Sequence, residues 1–184
     1  MIRHLLSLLA ALAVLAWGPD GGRVAAQSAD VVKAAFVFNV LNFVEWPTAS
    51  FPLPSAPLRI AVIAPRTPGE FVSGLAGRVV RGHPIAVQTY DRVEVVEPSH
   101  VLFLSADAHG QLRTAIAATK GQAVLTIAEQ NLDAAVDTAM ALGVVQAKLA
   151  FAVNLDVTDA AGLQVNPNLL RLARSVKGSR ARPR

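Results

Sequence analysis

Apolar positions along this chain fall into short blocks of two kinds. From Lys33 to Trp46 they recur at helical spacing. Phe36, Val40, Phe43 and Val44 form one stripe, and Val37 and Leu41 widen it almost to the whole circumference. Asn39 and Asn42 are the only polar interruptions before Glu45, and Pro47 stops the helix because a residue before proline is pushed out of the α region. A helix that is apolar all round is buried on more than one side or meets a partner. The spacing therefore predicts one helix reaching Pro47, with Trp46 at its end as a large amphipathic contact surface.

The blocks after Pro47 are short and continuous. Phe51 to Pro57 is a proline-rich connector. Leu58 to Ala64, Ile85 to Thr89, Val101 to Leu104 and Ala123 to Thr126 read as strands covered on both faces. Between them, Thr67-Pro68-Gly69-Glu70 opens a helix that ends at Gly77, and Ser105 to Lys120 forms another closed by Gly121. Glu129 to Thr138 is a short acidic helix or loop. Met140 to Val145 and Leu149 to Leu155 pair as a hairpin turning near Gln146-Ala147. Asp156 is expected to cap a short helix closed by Gly162. Asn166-Pro167 opens a last helix carrying Leu169, Leu170, Leu172, Ala173 and Val176. Strands alternating with helices give an α/β fold: a single-domain sandwich with a mostly parallel mixed sheet flanked by helices.

The N-terminus changes the compartment. Arg3 and His4 precede an apolar run from Leu5 to Trp17, then Gly18-Pro19-Asp20-Gly21-Gly22 and Val24-Ala25-Ala26. This is the pattern of a secretory signal peptide spanning 1–26, cut before Gln27. A domain from 27 to 176 and a basic, disordered tail from 177 to 184 are expected to follow. The chain has no cysteine, so thiol catalysis, disulfides and Cys-ligated metals are excluded. Six of the seventeen basic residues (Arg171, Arg174, Lys177, Arg180, Arg182 and Arg184) fall in the last fourteen positions, whereas the body from Gln27 to Leu170 carries more acids than bases. The basic character belongs to the tail. In an exported protein it points to peripheral contact with anionic headgroups or an acidic partner, not to nucleic acid.

Two separated motifs in register resemble the YfiR family of exported regulators. They are Lys33-Ala-Ala with Phe43-Val-Glu-Trp-Pro47, and Phe151-Ala-Val-Asn154 followed by Ala160-Ala-Gly-Leu163 and Asn168-Leu-Leu-Arg-Leu-Ala173. The resemblance implies a periplasmic, dimerising α/β sandwich. It also implies an activity of binding: holding the exported part of an inner-membrane diguanylate cyclase, or a sensor kinase, inactive, and so lowering cyclic-di-GMP and biofilm formation. The chain departs from the family at Ser99-His100, where such proteins often carry a cysteine, and at Ala152, where they usually carry a glutamate.

The expected partner-binding residues are Phe36, Val40, Glu45, Trp46 and Arg171. An alternative is a small-ligand site at the carboxyl edge of the sheet, near Thr67, Ser105 and Asp107, where parallel sheets bind ligands. A third reading, an exported hydrolase using Ser105 and His109, lacks a G-x-S-x-G elbow, and helix capping explains Ser105 or Asp107 as well. His83, in a Gly-His-Pro turn, reads as solvated. His83, His100 and His109 fit no metal-ligand spacing, and Gly74 to Gly77 reads as a helix stop, not a phosphate cradle. Asn154 is expected to bond the backbone that follows it. No cofactor is expected.

Overall fold

The computed structural model describes residues 28–66, 69–132 and 137–178. The signal segment, Thr67 and most of the basic tail lie outside them. Helix α1 (Ala29–Leu41) is followed by β1 (Val44–Glu45), β2 (Leu58–Ile63), α2 (Gly69–Leu75), β3 (Val79–Val80), β4 (His83–Tyr90) and β5 (Val101–Leu104). Then come α3 (Leu112–Thr119), β6 (Leu125–Glu129), β7 (Met140–Val145), β8 (Lys148–Asn154), α4 (Leu155–Ala160), β9 (Gln164–Val165), α5 (Pro167–Leu170) and β10 (Ser175–Lys177). An eight-stranded sheet runs in the order β10-β8-β7-β6-β5-β2-β4-β3, and β1 pairs with β9 in a separate ribbon. The strands from β4 through β2, β5 and β6 to β7 are parallel; β8 runs antiparallel to β7 and β3 to β4. The fold is the mixed α/β sandwich that the alternation of elements predicts.

Because successive strand residues point to opposite faces, each continuous apolar strand supplies two cores. Ile60, Val62, Val101, Phe103, Leu125 and Ile127 join α1 and α2 in the larger core. Ala61, Ile63, Leu102 and Leu104 face the other way, against Ala108 and Ala115. Residues Gln146 and Ala147 both have φ near +50 to +60°, the geometry of a two-residue turn whose twist matches the strands it joins. That is where the hairpin was expected to reverse.

Several expectations are corrected. Helix α1 ends at Leu41, six residues before Pro47. The Asn42 amide nitrogen donates to Phe38 O at 2.8 Å, the Asn42 and Phe43 backbone N–H groups bond Asn39 O and Val40 O, and Val44 then enters an extended ribbon with Val165. Asn154, not Asp156, caps α4: its Oδ1 accepts from the Asp156 and Val157 N–H groups. Helix α5 ends at Leu170, and Val176 belongs to β10, an edge strand beside β8 that also takes in Lys177 from the expected tail. The helix after β5 starts as a 3-10 turn over Ala106–Gln111, and β6 lies two residues later than expected, so that Glu129 ends a strand.

The all-round apolar surface of α1 is covered from within the chain. Ala34, Val37, Val40 and Leu41 are buried in the larger core, with Ala34 facing α2. On one flank Phe36 packs on Phe151, with ring centroids 5.2 Å apart. On the other, the Arg78 guanidinium lies 3.3 Å from the centre of the Phe38 ring, a cation–π contact. Helix α2 approaches so closely that a Cβ on Gly74 would lie 2.7 Å from Ala34 Cβ. Gly74 is therefore a helix-contact residue, and the stop expected over 74–77 falls after Leu75, with Gly77 at φ 75°. We expect Gly74→Val to destabilise the fold by about 1–3 kcal/mol through overpacking. Gly69→Ala, which has open space around it, should stay within about 0.5 kcal/mol of the parent. Urea midpoints of the two variants check this.

Candidate partner-binding site

The end of α1 and the proline-rich connector build a cleft. Once β1 pairs with β9, Glu45 projects from an exposed edge and Trp46 turns inward. The indole Nε1–H donates to His100 O at 3.0 Å, fixing the ring across the start of β5. After Pro47 the chain makes a 3-10 turn over Thr48–Ser50 and places Phe51 between two histidines. Its ring stacks on His83 at 3.9 Å and on His100 at 4.4 Å between centroids.

Both imidazoles are tied to backbone. His100 Nδ1 accepts from the Arg59 N–H at 3.0 Å, so the neutral ring carries its proton on Nε2, which donates to Ser50 O at 3.0 Å. His83 Nδ1 lies 2.7 Å from Ala56 O and must carry the proton there. His83 is thus a half-buried strap for the connector, not a solvated turn residue. Connector, Trp46 and the turn at Arg81 enclose a cavity of about 380 Å³, whose lining includes Phe51, Leu53 and Val80. At its mouth Arg81 Nη2 donates to Glu45 Oε1 at 2.6 Å, with both side chains about half exposed. Arg81 holds a left-handed backbone (φ 51°) in the turn between β3 and β4. Such an exposed pair contributes about 0–1 kcal/mol to stability. Its chemistry is to present one acid and one base beside an aromatic wall.

Among the other expected contact residues, Phe36 is half-buried against Phe151 and Val40 is 1 % exposed in the core, so Val40 is not an accessible surface. Arg171 is exposed at the C-terminus of α5. At the carboxyl edge of the sheet, strand order reverses between β2 and β5, but the crevice is bridged. Ser105 Oγ bonds Ile63 O at 3.0 Å and also contacts Asp107, whose second oxygen lies 3.7 Å from Arg66 Nε. The Ser105 hydroxyl is engaged by these groups and does not cap the turn after it. Among the described residues, no group of three or more metal-ligating side chains assembles, and no helix is long and apolar enough to cross a membrane.

The sequence reading missed Phe51, Arg81 and His83 as lining of one cleft, and His100 as the buried ring stacked behind Phe51. An aromatic residue opening a proline-rich connector, with a histidine before each of two strands, was the available signal.

Burial holds His100 below its ordinary value of 6.5, against the opposing pull of the Ser50 carbonyl and with help from the charges of Arg59 and His83. The folded ring therefore binds a proton less readily than the unfolded one. Its contribution is present above pH 6.5 and is lost as pH falls through 6.5 toward the folded value. Stability should drop over that range by at most about 1.4 kcal/mol per pH unit from this group. A His100→Gln variant should show a shallower dependence of its urea midpoint between pH 7.5 and 5; an identical slope refutes the assignment.

A family model described as YfiR/HmsC-like matches residues 30–174.

Proposed function

The chain belongs to the YfiR/HmsC-like family, and on that premise we propose that it is a periplasmic, non-catalytic regulator. It binds the exported part of an inner-membrane diguanylate cyclase and restrains it, lowering cyclic-di-GMP and biofilm formation. The family match across nearly the whole described chain carries this reading. The cleft at Glu45, Trp46 and Arg81 supports it with a surface of the right kind: an amphipathic aromatic flanked by both signs of charge. We place the partner there, with homodimerisation and contact of the basic C-terminus with anionic headgroups as further parts of the proposal. Residues 1–26 act as the export signal.

A binding protein silences a cyclase only by preferring its inactive conformation. Hundredfold suppression requires about 2.7 kcal/mol of differential affinity, within reach of one well-packed contact cluster. Deleting the gene should raise cyclic-di-GMP and surface adhesion, and restoring the wild-type gene should reverse both. A Glu45→Arg/Trp46→Ala double variant that folds and reaches the periplasm should fail to restore them. Unchanged cyclic-di-GMP after deletion, in cells that make the membrane cyclase, overturns the function. Full restoration by the double variant overturns the site alone.

A further inference from the structure

The connector of residues 47–57 has no titratable side chain, and its own backbone bonds are local: the Ser50, Phe51 and Ala56 N–H groups donate to Pro47 O, Thr48 O and Leu53 O. Among the described residues, its hydrogen bonds to the body of the protein run through two imidazoles. His100 donates to Ser50 O and His83 to Ala56 O, with Phe51 stacked between the rings. Thr48, Phe51, Pro52, Leu53 and Pro54 of this segment form one wall of the cleft at Trp46. The wall therefore stands only while the two rings hold the connector.

The rings differ in how they meet a proton. His83 donates from Nδ1, so a proton gained at Nε2 leaves its bond to Ala56 O in place. His100 has no spare nitrogen: Nε2 donates to Ser50 O, and Nδ1 accepts from the Arg59 N–H at 3.0 Å. A proton can enter only at Nδ1, where it sets one donor against another. The Arg59 backbone cannot turn aside, because Arg59 is paired with Ala86 in the sheet and its carbonyl accepts from the His100 N–H. The charges acting on the buried ring, those of Arg59 on β2 and His83 on β4, share the sign of an imidazolium. Of the carboxylates on neighbouring elements, Glu97 is exposed, Glu45 is paired with Arg81, and Glu129 lies at the far end of β6, paired with Lys33.

We propose that His100 is an acid-sensitive latch: a proton on Nδ1 drives the ring off β2, the connector leaves with it, and the cleft at Glu45, Trp46 and Arg81 loses a wall. The movement is outward because the Nε2–H keeps Ser50 O while the tie to Arg59 is lost, and water then solvates the charge. The signs agree. Burial first, and like charge with it, hold the closed ring below 6.5. The closed form is thus favoured above pH 6.5 and loses ground as pH falls through 6.5 toward the closed-state value, by up to about tenfold in the open-to-closed ratio per pH unit. As a control on partner binding the latch rests on the function proposed above. The release itself does not, and it is measured on the isolated protein.

Trp46 reports the release, since its indole lines the cleft and bonds His100 O. In a Trp17→Phe protein it is the only tryptophan. Acrylamide quenching of its fluorescence should rise about twofold or more from pH 7.5 to pH 5 with unchanged far-UV circular dichroism, the mark of local opening and not of unfolding. A His100→Gln variant takes up no proton there and should be quenched equally at both pH values. His83→Gln should keep the rise and move its midpoint to higher pH, because one charge opposing the His100 proton is gone. Quenching that does not change with pH in the parent overturns the proposal. So does an equal rise in His100→Gln, or a rise that comes only with loss of circular dichroism. If His100→Gln does not fold, His83→Gln decides: a retained rise supports the latch and a lost one overturns it.

Discussion

The arrangement of this protein depends on how one helix that is apolar on almost every side is kept from water. An ordinary surface helix needs a single partner face. Helix α1 needs at least three. The core shared with the sheet and α2 takes Ala34, Val37, Val40 and Leu41, Phe151 takes Phe36, and Arg78 lies over Phe38. Each cover constrains another element. Close approach of α2 requires the bare Cα of Gly74, and placing Phe151 requires β8 to come back antiparallel beside β7. The motif that dominates the sequence is therefore the keystone of the larger core. The exposed remainder of the helix is modest: Ala29, Val32, Ala35 and Asn39.

The connector between β1 and β2 shows a second solution to a packing problem. A run of prolines cannot pair as a strand, because it lacks the donors. It is held instead by side chains donating to its carbonyls: His100 to Ser50 O and His83 to Ala56 O, with Phe51 stacked between the two rings. Here a neutral imidazole with both nitrogens satisfied cross-links the connector and β2, without covalent chemistry and with sensitivity to protons instead of oxidants. The chain has no cysteine to offer a redox alternative.

Much of this architecture was legible because it is written in local patterns. Val101 to Leu104, the turn at Gln146-Ala147 and the Asn166-Pro167 helix start all follow from periodicity or turn chemistry within a few residues. What escaped were choices decided by distant partners. Val44 and Glu45 continue the helical pattern perfectly well, and only pairing with Gln164 and Val165 makes them a strand. Val176 fits a helical spacing equally, but β8 offers an open edge beside it. Among the site residues, Glu45 and Trp46 were visible as a charged–aromatic pair at a helix end. Arg81 and His83 were not, because they come from a turn nearly forty residues away. Val40 was misjudged for the same reason: pattern alone shows that α1 has too many apolar faces, not which one the sheet takes.

On the proposed function, the Glu45–Arg81 pair bears on what kind of partner the cleft would select. Half-exposed charges add little to folding stability, so the pair has no strong structural reason to be there. Its effect on binding is larger. A surface that covers Trp46 must also remove water from an acid and a base 2.6 Å apart. A purely apolar partner would strand whatever hydrogen-bonding capacity the pair does not use on itself, at a cost that grows with burial. A partner carrying its own acid toward Arg81 and base toward Glu45 extends the pair into a network and loses nothing. The aromatic wall supplies area that many partners could use, whereas the charge pair penalises the wrong ones. On the proposed function, specificity in this cleft would therefore reside in Glu45 and Arg81, and affinity in Trp46 and its apolar neighbours.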